Sequence, residues 1–314
     1  MITRILVTCP PMLGMIDEFR VEFARRGAEV VCPAVAQVLP EDELVEILPG
    51  CDGWIIGDDP ASRRVLSAGK SGRLRAAVKW GIGVDNVDFH AAAELGIPVV
   101  NTPGMFGEEV ADLAFAYMVA LARELFAIDR GVRAGRWPKP RGISLSGKTL
   151  GLVGLGDIGR NIAARALGAG MRVLAYDPAV PGELPGMTLE RAVWPERLEA
   201  CDFLVLACAL TESSRHMLNE ATLKRAKRGV RIVNIARGAL IDESALEAAL
   251  GSGVVHSAAL DVFEVEPLPR SSALLADERC ILGSHNGSNT EEAVRRASLR
   301  AIELLFASLE AQTG

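Results

Sequence analysis

TLGLVGLGDIGRNIAARALGAGMRVLAYDP, residues 149–178, carries a strand, a glycine-rich turn, a helix and a second strand in 30 positions. Thr149–Val153 reads as a buried strand, a short apolar run that ends in glycine. Gly154-Leu155-Gly156-Asp157-Ile158-Gly159 then opens a helix over about 158–168, and the next strand, Arg172–Tyr176, stops at Asp177. Strand, G-x-G-x-x-G, helix, strand and acid together form the full context of a dinucleotide site. Gly154 permits the tight turn, Gly156 lets the backbone approach a pyrophosphate, and Gly159 lets helix and strand pack closely. The helix N-terminus adds free N–H groups and partial positive charge for the phosphates. Asp177, 23 residues after Gly154, suits the ribose hydroxyls and repels a 2′-phosphate, so the expected cofactor is NAD and not NADP.

The same alternation continues on both sides. Downstream, Phe203–Ala207, Arg231–Ile235, Ser257–Asp261 and Cys280–Leu282 read as strands, with helices near 219–226 and 242–251. Upstream, Ile5–Cys9, Val30–Cys32, Trp54–Ile56, Ala76–Trp80 and Val99–Val100 read as strands, with helices at Ile16–Arg26, Glu41–Ile47, Ser62–Ala68 and Phe89–Leu95. Strand–helix alternation implies parallel sheets covered on both faces, so the fold class is α/β with two doubly wound parallel-sheet domains. Between the series, Val110, Leu113, Ala114, Met118, Leu121, Leu125 and Ile128 recur at 3 and 4, which predicts one long helix over Glu108–Gly135. Its expected work is to cross between domains or to pack on a second subunit. GRWPKPRGISLSGKT, residues 135–149, is a loop, and Thr290–Ala311 is a helix expected to return to the first domain.

Composition narrows the function. With 34 Lys+Arg against 40 Asp+Glu in 314 residues the net charge is −6, which argues against nonspecific binding of nucleic acid. Cysteines at 9, 32, 51, 201, 208 and 280 show no CxxC spacing, so a reducing, cytoplasmic setting is expected and no metal site. MITRILVTCP lacks a charged leader and cleavage site, and the longest apolar run, Leu113–Ala122, is far below the ~18 residues of a membrane span.

Histidine is scarce, and elimination is useful. His90, His216 and His256 read as surface or packing residues, whereas His285 ends a strand inside the polar loop Gly283-Ser284-His285-Asn286-Gly287-Ser288. Ligands sit at the C-terminal edge of open parallel sheets. Arg237 and Glu266 fall at equivalent strand ends. Such a set suits hydride chemistry: Arg237 grips a substrate carboxylate, His285 exchanges a proton with the hydroxyl or carbonyl oxygen, and Glu266 stabilises the imidazolium.

The motifs WGIGVDNVD (80–88), NTPG (101–104), VADLAFAYMVALAR (110–123), GLVGLGDIGR (151–160), VNIARGALIDESAL (233–246), ALDVFEVEP (259–267) and GSHNGSNT (283–290) resemble those of the D-isomer-specific 2-hydroxyacid dehydrogenases over nearly the whole chain. The resemblance implies a flavodoxin-like substrate domain, 1–102 and 288–314, with an inserted Rossmann NAD-binding domain, 103–287, and a cleft that closes on a small 2-hydroxy or 2-oxo acid. It implies that Arg237 binds the substrate carboxylate, Glu266 orients the histidine and His285 is the acid/base. Amides of the Gly81-Ile82-Gly83 turn would complete the carboxylate site. Asp157, Ile158, Asp177, Cys208, Ala236 and Asp261 match positions that touch NAD, Asp261 near the nicotinamide amide, and the long helix resembles the element of a homodimer.

The motif wording is nearest to phosphoglycerate dehydrogenases and hydroxypyruvate reductases, so 3-phosphoglycerate, hydroxypyruvate and glyoxylate are the substrate types implied. The loop after the third strand, Gly57-Asp58-Asp59-Pro60, holds two acids where phosphoglycerate enzymes place arginines, and these acids would repel a phosphate. Asn286, after the histidine, is a further candidate to reach the substrate. An alternative is an NAD-sensing, non-catalytic scaffold of the corepressor type; the complete Arg237, Glu266, His285 set favours the enzyme.

Overall fold

The computed structural model describes residues 2–180 and 184–312, and the chain divides into two units, Met1–Met105 with Asn289–Gly314, and Phe106–Ser288. Both are parallel-sheet α/β units, the class that the alternation of strands and helices leads one to expect.

The first unit has strands β1 (Thr3–Val7), β2 (Ala28–Val31), β3 (Gly53–Ile56), β4 (Ala76–Lys79) and β5 (Val99–Asn101), ordered β2-β1-β3-β4-β5 and all parallel. Helices α1 (Pro10–Gly14), α2 (Ile16–Arg25), α3 (Glu41–Ile47), α4 (Arg63–Ser71) and α5 (Phe89–Glu94) connect them. The central strands bury both faces, with Ile5, Leu6, Trp54, Ile55, Ile56 and Val78 fully enclosed. One face packs on α3, α4 and α5 through Leu44, Leu48, Val65, Leu66 and Ala91. The other receives the final helix, Glu291–Ala311, whose N-terminus is capped by Thr290 and whose Ser298 accepts from Trp80 Nε1 at 3.0 Å.

In this strand order the connections diverge between β1 and β3, and a crevice opens outside their C-terminal ends. Backbones meet tightly there: a Cβ on Gly57 would lie 2.9 Å from both Cys9 Cα and the Thr8 carbonyl oxygen. Asp59 is fully buried and accepts from Leu39 N at 2.7 Å, Gly57 N at 3.1 Å and the Thr8 hydroxyl. Burial pushes its carboxyl above the usual range, against the pull of those donors. This corrects the reading of Asp59 as a charge facing a ligand: it ties the loop together, and only Asp58 remains at the edge.

The second unit begins with α6 (Gly107–Arg123) and α7 (Leu125–Arg133). Then come β6 (Thr149–Val153), α8 (Asp157–Gly168), β7 (Arg172–Tyr176), β8 (Glu190–Arg191), β9 (Phe203–Leu206), α9 (Glu220–Leu223), β10 (Val230–Asn234), α10 (Glu243–Ser252), β11 (Val255–Leu260) and β12 (Cys280–Leu282). The order β12-β11-β10-β9-β6-β7-β8 has its switch point between β6 and β9, the Rossmann arrangement. The expected helix near 219–226 is a single turn, Glu220–Leu223, started by an Asn219–Thr222 capping box.

Sequence periodicity predicts one helix across Glu108–Gly135, and the structure breaks it at Glu124, which adopts φ 52°, ψ 40°. The cause is tertiary. The last carbonyls of α6 find partners outside the helix: Leu121 O accepts from Arg231 Nε at 3.3 Å, and Ala122 O accepts from Ile143 N at 2.9 Å. Gly142 lies so close that a Cβ would stand 2.7 Å from Ala122 O. Both halves keep an apolar stripe, so the 3–4 spacing runs through the break unaltered. Among the described residues no helix is long and apolar enough to cross a membrane.

Candidate active site

The glycine-rich turn sits at the switch point of the seven-stranded sheet, and each glycine meets a different demand. Gly154 has φ 99°, and a Cβ there would stand 2.7 Å from Ala207 O and 2.8 Å from Cys208 N at the end of β9. A Cβ on Gly159 would overlap the Gly154 carbonyl oxygen, so helix and turn touch only because neither carries a side chain. Around Gly156 nothing lies within 4 Å of a Cβ position: this open backbone, at the N-cap of the 12-residue α8, is the cradle a pyrophosphate needs. The chain therefore fits a dinucleotide on its own geometry.

Asp177 closes the loop from the other side, accepting from Leu155 N at 2.7 Å and Ala179 N at 2.8 Å. Asp157, exposed at the start of α8, lies with its carboxylate against Gly107 at the start of α6, whose positive end it faces. Ile158 is half-buried beside it. Cys208, partly buried, packs its Sγ 3.8 Å from Met217 Sδ, and burial pushes the thiol up to about 11, which keeps it neutral. Ala236 donates its amide to Asn234 Oδ1 at 3.1 Å and accepts from Arg237 Nη1 at 2.8 Å. The ends of β6, β7, β9 and β10 thus carry the residues expected to meet NAD.

The catalytic candidates lie at the ends of β10, β11 and β12. Glu266 Oε1 accepts from Phe263 N at 3.0 Å, and Oε2 lies 2.8 Å from His285 Nδ1. The pair is half-buried, with side-chain exposures of 22% and 20%, so the attraction is only partly screened by water. Nδ1 is the ring nitrogen engaged by the carboxylate, which fixes the orientation of the imidazole. His285 has φ 54°, a left-handed conformation that a side chain seldom adopts.

Asp261 imposes that conformation. Its carboxylate accepts from Asn286 N at 3.2 Å and Gly287 N at 2.9 Å, and its carbonyl accepts from His285 N at 2.6 Å. It is 2% exposed, and burial raises its carboxyl against the pull of the two amides and of nearby His285. A Cβ on Gly283 would overlap this carboxylate and stand 2.6 Å from the Tyr117 hydroxyl. The sequence reading sends Asp261 toward the nicotinamide amide; in the structure its oxygens hold the histidine loop.

Arg237 follows β10 in extended backbone, and its carbonyl accepts from Asn234 Nδ2 at 2.8 Å. The next residue, Gly238, is pressed onto the neighbouring loop, where a Cβ would overlap the carbonyl group of Phe263. Arg237 and Glu266 are therefore on loops in direct backbone contact. Among the described residues, no three His, Cys, Asp or Glu side chains are grouped as a metal ion would require.

In the first unit, Gly81 has φ 134° and donates its amide to Thr102 Oγ1 at 2.9 Å, while Ile82 is exposed and its carbonyl accepts from Asn101 Nδ2 at 3.2 Å. Sequence reasoning passed over a neighbour of this turn, Lys79. It is 2% exposed, and its Nζ reaches Gly57 O at 2.6 Å, Asp58 Oδ1 at 3.0 Å and Trp80 O at 3.3 Å. A lysine ending an otherwise apolar strand just before Gly-x-Gly was the available signal.

Known proteins can be set beside this geometry. The model of the family described as D-isomer specific 2-hydroxyacid dehydrogenase, NAD binding domain, matches residues 115–287. A hydroxypyruvate reductase of Thermotoga maritima is 41% identical over 278 residues, covering 86% of this chain and 89% of that one. A D-3-phosphoglycerate dehydrogenase of Methanocaldococcus jannaschii is 37% identical over 300 residues, or 94% of this chain, which spans about half of that relative's length (55%). The crystal structure of the TT0316 protein of Thermus thermophilus superposes with a TM-score of 0.86 at 35% identity, covering 98% of this chain and 97% of that one. The family model and these relatives agree with the sheet order and the glycine turn, and the chain belongs to the D-isomer specific 2-hydroxyacid dehydrogenase family.

Proposed function

We propose that this NAD-dependent dehydrogenase acts on small unphosphorylated 2-oxo and D-2-hydroxy acids of the hydroxypyruvate or glyoxylate type. The second unit serves as the NAD-binding domain and the first as the substrate domain. Bound NADH supplies the hydride that C2 of the oxo acid receives. His285 donates the Nε2 proton to the carbonyl oxygen, which takes up the electron pair released from the C=O bond, and in the oxidation it accepts the hydroxyl proton instead. Glu266 keeps the ring in one orientation and stabilises its protonated form. Arg237 holds the substrate carboxylate in a two-point grip. In the first unit the Gly81 amide is taken by Thr102, so the amides of Ile82 and Gly83 are the ones assigned to a carboxylate.

One observation carries the choice of an unphosphorylated substrate. The cations that face or follow the Gly57–Pro60 loop are engaged: Lys79 with Asp58 and two carbonyls, Arg63 with Glu94 at 2.5 Å, and Arg64 with Asp42 at 2.6 Å. Asp58 accepts from Lys79 and from Gln37 at 3.2 Å, so the lysine charge beside the loop is already paired with a carboxylate and not offered to a phosphate. The test is loss of NADH absorbance with hydroxypyruvate, glyoxylate, pyruvate and phosphohydroxypyruvate. Faster turnover of an unphosphorylated acid is expected, and preference for phosphohydroxypyruvate would sink the assignment.

We further assign a homodimer and a cytoplasmic setting. Leu125, Phe126 and Val132 on α7 and Trp137 after it are exposed, Trp137 at 77%, a density of large apolar groups that a partner copy would cover. Sedimentation equilibrium at micromolar protein should give twice the chain mass, and Phe126→Glu should shift it toward the monomer; a monomeric wild type refutes the assignment. The six cysteines are free thiols, which suits a reducing compartment, and cell fractionation checks it.

A further inference from the structure

Three connections of the second unit meet behind the His285–Glu266 pair. The Glu264 amide donates to Glu243 Oε1 at 2.6 Å, and the Glu243 amide donates to Glu264 Oε1 at 3.0 Å. Glu243 is the first residue of α10, so its amide is one of the donors a helix start leaves without an internal partner. His216, in the connection after β9, has φ 49°, donates its amide to Ala239 O at 2.8 Å and brings Nε2 to 3.2 Å from the same Glu264 oxygen, off the alignment of a hydrogen bond. The peptide between Phe263 and Glu264 is the one that Gly238 presses against, and the Phe263 amide fixes Glu266 Oε1.

We propose that Glu264 is a positioning residue for the reaction: its reciprocal clasp with Glu243 fixes the 263–264 peptide, and through it the carboxylate of Glu266 and the loop of Arg237. The inference rests on the roles assigned to His285 and Glu266 above. If the peptide drifts, the Phe263 amide no longer sets Glu266 Oε1, Oε2 leaves its place beside His285 Nδ1, and the Arg237 turn loses the surface it rests on. The titratable groups around the clasp are Glu243, Glu247, Glu264, Glu266 and His216. Burial pushes the Glu243 carboxyl up, the Glu264 amide pulls it partly back, and the charges of Glu264, Glu247 and Glu266 push it up again, so the clasp and Glu266 share one field.

The test compares Glu264→Ala with Glu264→Gln in the full-length protein, on whichever 2-oxo acid turns over fastest. Glutamine keeps an acceptor oxygen for the Glu243 amide, and alanine does not. Glu264→Ala should lower kcat by about tenfold to a hundredfold, the scale of a small misplacement at a reacting centre, with NADH affinity unchanged. The pH at which reduction falls to half should move down, because a loosened Glu266 stabilises the protonated ring less. Glu264→Gln should restore most of kcat. Should Glu264→Ala fail to fold, Glu243→Ala, which removes the other half of the clasp, must show the same loss. Wild-type kcat with an unmoved pH profile in either folded alanine variant overturns the proposal, as does a glutamine variant no better than the alanine one. Failure of the underlying roles is separately visible, since His285→Ala would then keep its turnover.

Discussion

Replacing His285 by alanine is expected to lower kcat for 2-oxo acid reduction by about 10²–10⁴-fold, the usual worth of a placed general acid, while NADH affinity stays at the wild-type level. The geometry accounts for both halves. The ring's Nδ1 is 2.8 Å from Glu266 Oε2, and the left-handed backbone at His285 is held by Asp261 through three amides, none of them in the glycine turn of residues 154–159. Removing the imidazole therefore takes away the proton donor and leaves the dinucleotide cradle intact. Stopped-flow reduction and fluorescence titration of NADH read the two quantities separately, and equal loss of rate and affinity would refute the role. In the wild type, reduction should slow and oxidation quicken as pH rises through the titration of the ring, because reduction consumes the proton and oxidation needs a place for it. That opposition should vanish in His285→Ala, and Glu266→Gln should move it to lower pH by removing the charge that favours the protonated ring.

How far the sequence reaches is set by how local the determinant is. Gly156 and Gly159 answer demands inside the motif, an open cradle and the Gly154 carbonyl, so the coenzyme turn is legible from spacing even though Gly154 also meets Ala207 and Cys208 at the end of β9. His285 and Glu266, 19 residues apart, required the added premise that strand ends converge at one edge of a parallel sheet. The misses are places where a distant backbone decides. Glu124 carries no signal of a helix stop, since its left-handed turn is imposed by Arg231 and Ile143 taking the carbonyls before it. Strand β8 is two residues, Glu190–Arg191, without alternation to announce it, and it is recruited by pairing with Leu174 and Ala175. Asp59 and Asp58 look alike in sequence, yet one is fully enclosed by Thr8, Leu39 and Gly57 while the other stands at the edge with Lys79. His216, read as a surface or packing residue, reaches Glu264 only because its connection lies along the Ala239–Ile241 turn.

Arg237→Ala should cost about 2–5 kcal/mol of transition-state binding, or roughly 30- to 4000-fold in kcat/KM, with the dinucleotide still bound. A guanidinium opposite a carboxylate supplies two parallel charge-assisted hydrogen bonds, and both the oxo acid and the developing alkoxide need C2 held still against the hydride donor. Arg237→Lys should recover part of the loss, since a point charge restores attraction without the planar fork that fixes orientation. The distinguishing measurement is discrimination between an oxo acid and its uncharged amide. The wild type should favour the acid strongly, and Arg237→Ala should erase most of that preference by losing rate on the acid alone. If the variant loses rate on acid and amide alike, the arginine acts on the fold and not on the carboxylate. Gly238 gives an independent handle on that alternative. Gly238→Ala leaves the guanidinium in the sequence but forces Phe263 away, so it should lower thermal stability and disturb the His285–Glu266 pair together with substrate binding. Arg237→Ala should leave the melting temperature nearly unchanged, which separates loss of the grip from loss of the surface that supports it.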